Sequence, residues 1–392
     1  MSNILWFNEV SMKDVDQVGG KGASLGEMVQ NNFPVPNGFV VTSKAYFDFL
    51  DEAGIKQKVV LTIDNIDVEN TQELETKSKE IRELILKSQM PLEIKSEIVN
   101  SYEKLNTKEN NGSSTLVAVR SSATAEDLPE ASFAGQQETY LNVLGNEDLL
   151  LSVRKCWASL FTARAVYYRK KQGFGTKKVG LCVVVQKMIQ SDVSGIMFTA
   201  DPVGDETKIV VEAGFGLGET VVSGSITPDN YIIDKDSFKI ISKKINKQEF
   251  MLVKENGVNV EIKLGENKAS MQKFSDEKII ELSKIGKTIE DHYAKPMDIE
   301  WGMENNILYI VQARPITTLG KKTSTKEDVK QVEKSFSGKE ILLNGLPASP
   351  GIISGIAKIV PNIDDIVKVN SGDILVTKMT SPSWVPVMKK AA

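Results

Sequence analysis

The amino-acid sequence predicts an α+β protein of two or three domains. Three observations carry that expectation. The chain has 392 residues, more than one ordinary hydrophobic core gathers. Short apolar runs rich in β-branched residues, over 39–42, 116–119, 179–189 and 208–213, are too brief for helices and read as buried strands. Longer segments with helical spacing, over 146–171 and 276–293, alternate with those runs.

Bulk properties exclude several classes. With 41% hydrophobic and 26% charged residues, the composition is that of a globular protein. No apolar run is long enough to cross a bilayer, and the opening Met1-Ser-Asn-Ile-Leu-Trp lacks a basic region followed by an apolar core. No signal peptide and no membrane partner are therefore expected. Cys156 and Cys182 lie inside apolar patterns and read as buried free thiols of a reducing cytoplasm. A net charge of −4 with dispersed Lys and Arg gives no nucleic-acid footprint. The basic cluster over 164–171 reads as the solvated end of a helix.

Taken in order, the first chemical signal is Gly19-Gly-Lys-Gly, followed by helical spacing from Ala23. A glycine turn opening a helix presents backbone N–H groups and a positive dipole end to an anion, and Lys21 adds a mobile charge. The spacing is not that of a Walker A loop, and a plain helix start is the other reading. Pro34-Val-Pro-Asn-Gly punctuates the chain before the strand at 39–42, and Ser43 caps the helix after it. Residues 59–110 read as a helical subdomain without visible chemistry.

The run Leu116–Val119 ends at Arg120, so the guanidinium is expected at the strand's mouth. The small-residue loop Ala131-Ser-Phe-Ala-Gly-Gln136 follows. A fixed fork donor beside a loop whose backbone approaches closely suits a polyphosphate; an ion-paired surface turn is the equal alternative. One helix is predicted over 146–171, with Trp157 and Phe161 as core. The strand at 179–189 is interrupted by polar Gln186. Residues 193–199, 208–213 and 230–234 read as antiparallel strands. Between them Gly214-Phe-Gly-Leu-Gly-Glu219 is glycine-dense, but no βαβ unit surrounds it, so the dinucleotide fingerprint does not apply. Glu212 and Glu219 are candidates to face phosphates through a metal, with a solvated loop as the alternative for Glu219.

Over 297–301, Asp298 and Glu300 fall on one strand face, and the strand 307–314 returns after Glu304-Asn-Asn. Such a hairpin can bring Glu300 beside Gln312, oxygen ligands of the kind Mg²⁺ accepts with phosphate oxygens and water. Arg314 lies one alternation beyond Gln312, on the same face. His292, the one histidine, reads as a structural helix-end residue. Residues 320–339 are polar and read as a linker, and a new apolar pattern begins at 340.

Four ordered stretches carry a resemblance: Gly19-Gly-Lys-Gly-Ala-Ser-Leu-Gly-Glu-Met28; Val117-Ala-Val-Arg-Ser-Ser-Ala with Ser132-Phe-Ala-Gly-Gln; Glu212 with Gly214-Phe-Gly-Leu-Gly-Glu219; and Asp298-Ile-Glu-Trp301 with Gln312-Ala-Arg-Pro315. Together they resemble the nucleotide-binding domain of the phosphoenolpyruvate synthase family, a domain shared with pyruvate phosphate dikinase and rifampicin phosphotransferase. The resemblance implies a two-lobed ATP-grasp domain over 1–319 (lobes about 1–188 and 189–319), a linker over 320–339, and an incomplete swivelling phosphohistidine domain over 340–392. It implies ATP and Mg²⁺ as cofactors. Lys21, Arg120, Ser132, Gly135, Gln136, Gln186, Met188, Glu219, Glu300, Gln312 and Arg314 are the implied binding residues, with Glu300 and Gln312 on the metal and Arg120 and Arg314 on the transferring phosphates. The adenine is expected against the backbone of Gln186–Met188.

In that family a histidine attacks the β-phosphoryl of ATP, and pyruvate then takes the phosphoryl group to give phosphoenolpyruvate. The carrier histidine would lie a short way past Ala392. The implied role of this chain is therefore a monomeric, cytoplasmic ATP-binding part that does not complete the reaction. Domain order favours the synthase over rifampicin phosphotransferase; pyruvate phosphate dikinase shares that order but departs more from the front-domain stretches quoted above, and a stand-alone ATP-binding regulatory module is the rival outside the enzyme class.

Overall fold

Period-two alternation sorts strand side chains onto opposite sheet faces, and this chain uses that twice. The computed structural model describes residues 2–68, 70–124, 138–171, 173, 180–202, 205–255, 258–316, 353–362, 365, 368–377, 380, 384–388 and 390–392. Helix and sheet are mixed throughout. Clustering of contacts divides the chain into one unit of Met1–Asp201 with Asp205–Thr317 and another of Pro202–Gly204 with Thr318–Ala392.

The first unit begins with β1 (Ile4–Trp6), α1 (Val15–Gln30), β2 (Gly38–Val41), α2 (Ser43–Glu52), α3 (Lys56–Asn65), α4 (Thr71–Lys87), α5 (Leu92–Asn110), β3 (Val117–Ala123), β4 (Thr139–Val143), α6 (Asn146–Ser159), α7 (Ala163–Lys171) and β5 (Leu181–Lys187). Its five strands form an antiparallel sheet in the order β1-β2-β5-β3-β4. Val117, Val119, Val183 and Val185 face a core shared with the helices, where Trp157 stacks on Phe49 at 4.8 Å. Burying side chains of this size stabilises by roughly 1.5–3 kcal/mol each. On the other face Val40, Cys182 and Val184 meet Ala23 and Leu25 of α1.

The second half adds β6 (Val193–Phe198), β7 (Lys208–Phe215), α8 (Glu219–Val222), β8 (Asp229–Asp234), β9 (Ile240–Lys244), β10 (Phe250–Glu255), β11 (Val258–Lys263), α9 (Glu266–Ala269), α10 (Asp276–Tyr293), β12 (Met297–Glu304) and β13 (Ile307–Pro315). Six strands form a sheet in the order β13-β12-β6-β7-β8-β9, while β10 and β11 pair as a separate hairpin. Met197, Val211, Tyr231, Ile299 and Trp301 turn toward α10, whose Ile279, Leu282 and Ile289 fill the same core. The opposite face carries Gln312, Glu300, Ile196, Glu212 and Asn230 in one cross-strand row. The second unit contains β14 (Ala357–Ile359) parallel to β15 (Ile374–Val376), a short helix α11 (Val385–Met388) and a small cluster of Val360, Val369, Trp384 and Val387.

Several sequence expectations change. The helix predicted over 146–171 is two helices. Phe161 and Thr162 donate to the carbonyls of Ala158 and Ser159, and the Thr162 hydroxyl accepts from Ala165 N at 3.3 Å, opening a new helix. Arg169 is not at a solvated end. It is buried, donates to the Leu160 carbonyl at 2.5 Å, and its pKa is lowered to about 10 by burial. Strands β9, β10 and β11 were not expected from the sequence: β9 is largely exposed and polar, whereas the apolar run Phe250–Val253 of β10 and the alternation of Val258, Val260 and Ile262 with polar residues in β11 are strand signals that went unread. Cys156 and Cys182 are buried free thiols.

Gly19 adopts φ +71, which separates the first turn of α1 from the helix that follows. A side chain there would collide with the Ser122 hydroxyl and backbone. Ser122 in turn donates to the Val18 carbonyl at 3.0 Å and accepts from Gly22 N at 3.3 Å, fastening α1 to β3.

One fully buried ion pair stands out. Lys273 Nζ lies 2.8 Å from Asp229 Oδ1, both side chains at 0% exposure. Asp229 also accepts from the Tyr231 hydroxyl, Asn246 N and Lys273 N at 2.9–3.0 Å. Removing one partner of such a pair leaves an uncompensated charge, so Lys273→Met is expected to cost about 3–5 kcal/mol in urea unfolding. Adding Asp229→Asn, which neutralises the stranded carboxylate, should recover part of that loss. A Lys273→Met protein as stable as the parent would refute the account.

Candidate functional site

β3 runs through Ala123, because β5 pairs with it over its whole length. Arg120 is therefore in mid-strand, not at the strand's mouth, and is only 9% exposed. It shares the face of Ala118 and Ser122, opposite the apolar Val117 and Val119, and projects toward the second sheet.

The β12–β13 register sets Glu300 against Gln312 and Asp298 against Arg314. Arg120 Nη1 donates to the Val311 carbonyl at 2.8 Å, while Nη2 donates to Glu300 Oε2 at 2.9 Å and to Gln312 Oε1 at 2.8 Å. The fork thus joins an inner strand of one sheet to the hairpin of the other. The sequence reading gave Arg120 to phosphate and Glu300 with Gln312 to a metal; the structure brings all three into one cluster.

Arg314 Nε and Nη2 both reach Asp298 Oδ2 at 2.9 Å. Burial holds the Asp298 carboxyl above its ordinary range, Arg314 pulls it back, and Glu300 adds to the rise. Asp298 was seen on the right face from its period-two spacing but was not assigned a role. Its partner Arg314 lies 16 residues further along the chain, across the hairpin.

A cavity of about 370 Å³ opens beside this cluster, a size typical of small-molecule sites. Arg120, Glu300, Gln186, Met188 and Glu219 line it, with Thr139, Ser194 and Gly218, which the sequence reading passed over. Among the described residues that line it, Lys21, Gln312 and Arg314 do not appear. Gln312 reaches it through Arg120, and Arg314 sits one register step further along β13. Lys21 is half-buried on α1. Glu212 lies two strands from Glu300, with its carboxyl raised by burial and partly lowered by Asn230. Ser132, Gly135 and Gln136 lie outside the described residues.

The segment between β5 and β6 forms one wall. Its backbone donors are largely spent: Lys187 N donates to Asn37 O at 2.8 Å and Met188 N to Leu116 O at 2.9 Å. The backbone N–H groups of Lys187 and Met188 are thus engaged within the protein. The polar group this wall offers is the Gln186 amide, whose Nε2 makes a long 3.5 Å contact to the Pro36 carbonyl. Lys187 is anchored 2.7 Å from Glu109.

As a donor set, Glu300 and Gln312 present two side-chain oxygens. Among the described residues no group of three or more His, Cys, Asp or Glu is placed to hold a metal alone. Two such oxygens fit a hard cation that arrives with oxygens of its own.

A family model described as pyruvate phosphate dikinase, AMP/ATP-binding domain, matches residues 15–335. Among curated relatives, a probable phosphoenolpyruvate synthase of Archaeoglobus fulgidus is 50% identical over 389 residues, covering 99% of this chain and 51% of that protein. One of Methanocaldococcus jannaschii is 49% identical over 394 residues, covering 100% of this chain and 33% of that protein. The phosphoenolpyruvate synthase of Pyrococcus furiosus is 46% identical over 431 residues, 99% of this chain and 52% of that protein. The chain spans a third to about half the length of these relatives.

The Asp298–Arg314 pair makes a pH prediction. A folded carboxyl raised above its unfolded value favours the fold at low pH, and that contribution is lost as pH rises through the folded value. Arg314→Ala removes the offsetting cation, so the Asp298 titration followed by carboxyl-carbon NMR should move further up. Stability should then fall more steeply with rising pH just above the usual carboxylate range. An unmoved titration would show that the pair does not set this carboxyl.

Proposed function

This chain belongs to the pyruvate phosphate dikinase AMP/ATP-binding domain family, and from that membership we propose that the cleft between its two sheets is where ATP binds. The observation that carries the reading is Arg120, a buried fork donor aimed across the cleft at Glu300 and Gln312. Polyphosphate recognition needs a planar, multi-donor cation held by its surroundings, and little else in the cleft has that chemistry.

In this reading the triphosphate lies along the Arg120–Glu300–Gln312 cluster, with Arg314, Lys21 and the 132–136 loop adding charge and backbone contacts. Glu300 and Gln312 would be the protein oxygens for a Mg²⁺ ion bound with the nucleotide, which would supply neutralisation of phosphate charge. Arg120 would exchange some of its contacts to those side chains for phosphate oxygens. Asp298 keeps Arg314 extended along β13. The protein's work is positioning and electrostatic stabilisation, because phosphoryl transfer asks for little covalent chemistry from it.

The base would lie against the wall at 186–189. With Nε2 of Gln186 turned to Pro36, its Oε1 is an acceptor suited to the amino group of adenine, whereas guanine offers a carbonyl there. Glu219 closes the cleft from the glycine-dense side.

The names of the relatives support a larger setting, in which this chain is the ATP-binding part of a phosphoenolpyruvate synthase acting on ATP, pyruvate and water. Residues 1–188 and 189–319 would be the two lobes of an ATP-grasp domain, 320–339 a linker, and 340–392 the opening of a phosphohistidine domain. The chain's one histidine, His292, holds Glu27 at 2.9 Å between α10 and α1 and has a structural role. These 392 residues would therefore bind ATP without forming phosphoenolpyruvate.

Calorimetric titration of Mg·ATP should give one site per chain. Arg120→Ala is expected to weaken it about ten- to a hundredfold, the size of a lost charge-assisted hydrogen bond or two. GTP should bind more weakly than ATP, and Gln186→Ala should narrow that difference. No heat of binding with the intact chain would overturn the proposal, as would phosphoenolpyruvate formation by the chain alone for its last part.

A further inference from the structure

A second connection between the two sheets does not involve Arg120. Asn142 near the end of β4 adopts φ +57, a left-handed conformation that asparagine tolerates better than most residues. It sits where the pairing of β4 with β3 slips by one residue. The side chain is 7% exposed. Its Oδ1 accepts from Gln190 Nε2 at 2.5 Å, and its Nδ2 donates to Asn259 Oδ1 at 2.5 Å. Gln190 is held from its other end, since its backbone N donates to Glu304 Oε1 at 2.8 Å. Three amides thus run in a chain from the wall between β5 and β6, through β4, to the β10–β11 hairpin.

That hairpin is fastened at two further points. At its root the Gln248 amide accepts from Phe215 N at 2.8 Å and donates to the carbonyls of Phe215 and Phe250 at 3.0 and 2.8 Å. In its middle, the Leu252 carbonyl accepts from Leu217 N at 2.9 Å. Gly216, at φ +85, lies so close that a Cβ would stand 2.5 Å from the same carbonyl. The hairpin therefore backs the segment 216–219, whose Leu217, Gly218 and Glu219 line the main cavity. Beneath its far strand is a smaller cavity of about 330 Å³, which Asn142, Asn259, Thr139 and Glu219 line and which shares Thr139 and Glu219 with the main one.

We propose that the β10–β11 hairpin is a strap across the nucleotide cleft and that Asn142 is the positioning residue that latches it, so that nucleotide release waits on the latch. This rests on the reading of the cleft as an ATP site. The root and middle attachments tie the hairpin to the second sheet alone. The amide chain is what ties it to β4 of the first, and breaking it frees the strap to lift with the 216–219 segment. Neutral amides carry no charge to screen or titrate, so the latch is insensitive to salt and to pH near neutrality, unlike the arginine contacts.

Asn259 is exposed on a half-exposed strand, so Asn259→Ala removes the latch without touching the core. Asn259→Asp keeps an acceptor for the Asn142 amide and serves as the rescuing variant. In hydrogen exchange of the full chain, β10 and β11 amides should exchange about fivefold faster in Asn259→Ala, the size of one neutral hydrogen bond, and near the parent rate in Asn259→Asp. In stopped-flow displacement of a fluorescent Mg·ATP analogue, the release rate should rise about fivefold in the alanine variant, equally at low and high salt, with the capture rate little changed. Unchanged hairpin exchange would overturn the latch. Faster exchange with unchanged release would overturn its control of the cleft. Failure of the unmodified chain to bind the analogue would overturn the nucleotide reading itself, and the strap's role in release with it.

Discussion

The guanidinium of Arg120 is the contact on which the site depends. It leaves an inner strand of one sheet, crosses to the other, and ends on a carboxylate, an amide and a backbone carbonyl. A cation this deeply buried is tolerated because its donors are met and a full negative charge lies beside it; remove Glu300 and the arginine becomes an unpaired charge in a low-dielectric place. The same geometry makes the cluster responsive. Every partner of Arg120 is an oxygen, and a phosphate presents more oxygens with more charge.

Around that contact the two sheets share one helix. α1 is fastened to β3 through Ser122, and its Ser24 hydroxyl donates to the Ala313 carbonyl of β13 at 2.7 Å. Tyr293, whose hydroxyl reaches the Ser24 carbonyl at 3.3 Å, is pushed up to about 12 by burial, so it stays a neutral donor. The helix side of the junction is thus closed by packing and hydrogen bonds. The opposite side, where Ala118, Arg120 and Gln186 line the main cavity, is the cleft. An apolar half and a polar half of the same β3–β5 face divide support from chemistry.

The polar bridges differ in kind. Arg120 joins the sheets by charge, the Gln190–Asn142–Asn259 chain by neutral amides, and Lys187–Glu109 pins the connecting wall to α5. Charged contacts respond to a charged ligand, while amide contacts hold shape irrespective of it.

By itself the sequence determined the α+β character and about half of the strand positions. β-branched runs with period two have few alternatives, and α10 has the same bounds its spacing predicts, Asp276–Tyr293. The hairpin was legible because Glu304-Asn-Asn demands a turn, and once the turn is given the facing of Glu300 and Gln312 follows from strand geometry. Polar β9 was not legible, and β10 and β11 went unread despite an apolar run and an apolar–polar alternation; the break between α6 and α7, which rests on one hydroxyl cap and a buried arginine, was not legible either. Only the tertiary structure decided that Arg120, 180 residues from Glu300 and 192 from Gln312, points at both. Local pattern fixes which face a side chain takes, but which face of another sheet it meets depends on how two sheets pack against one helix. Residue spacing carries no record of that.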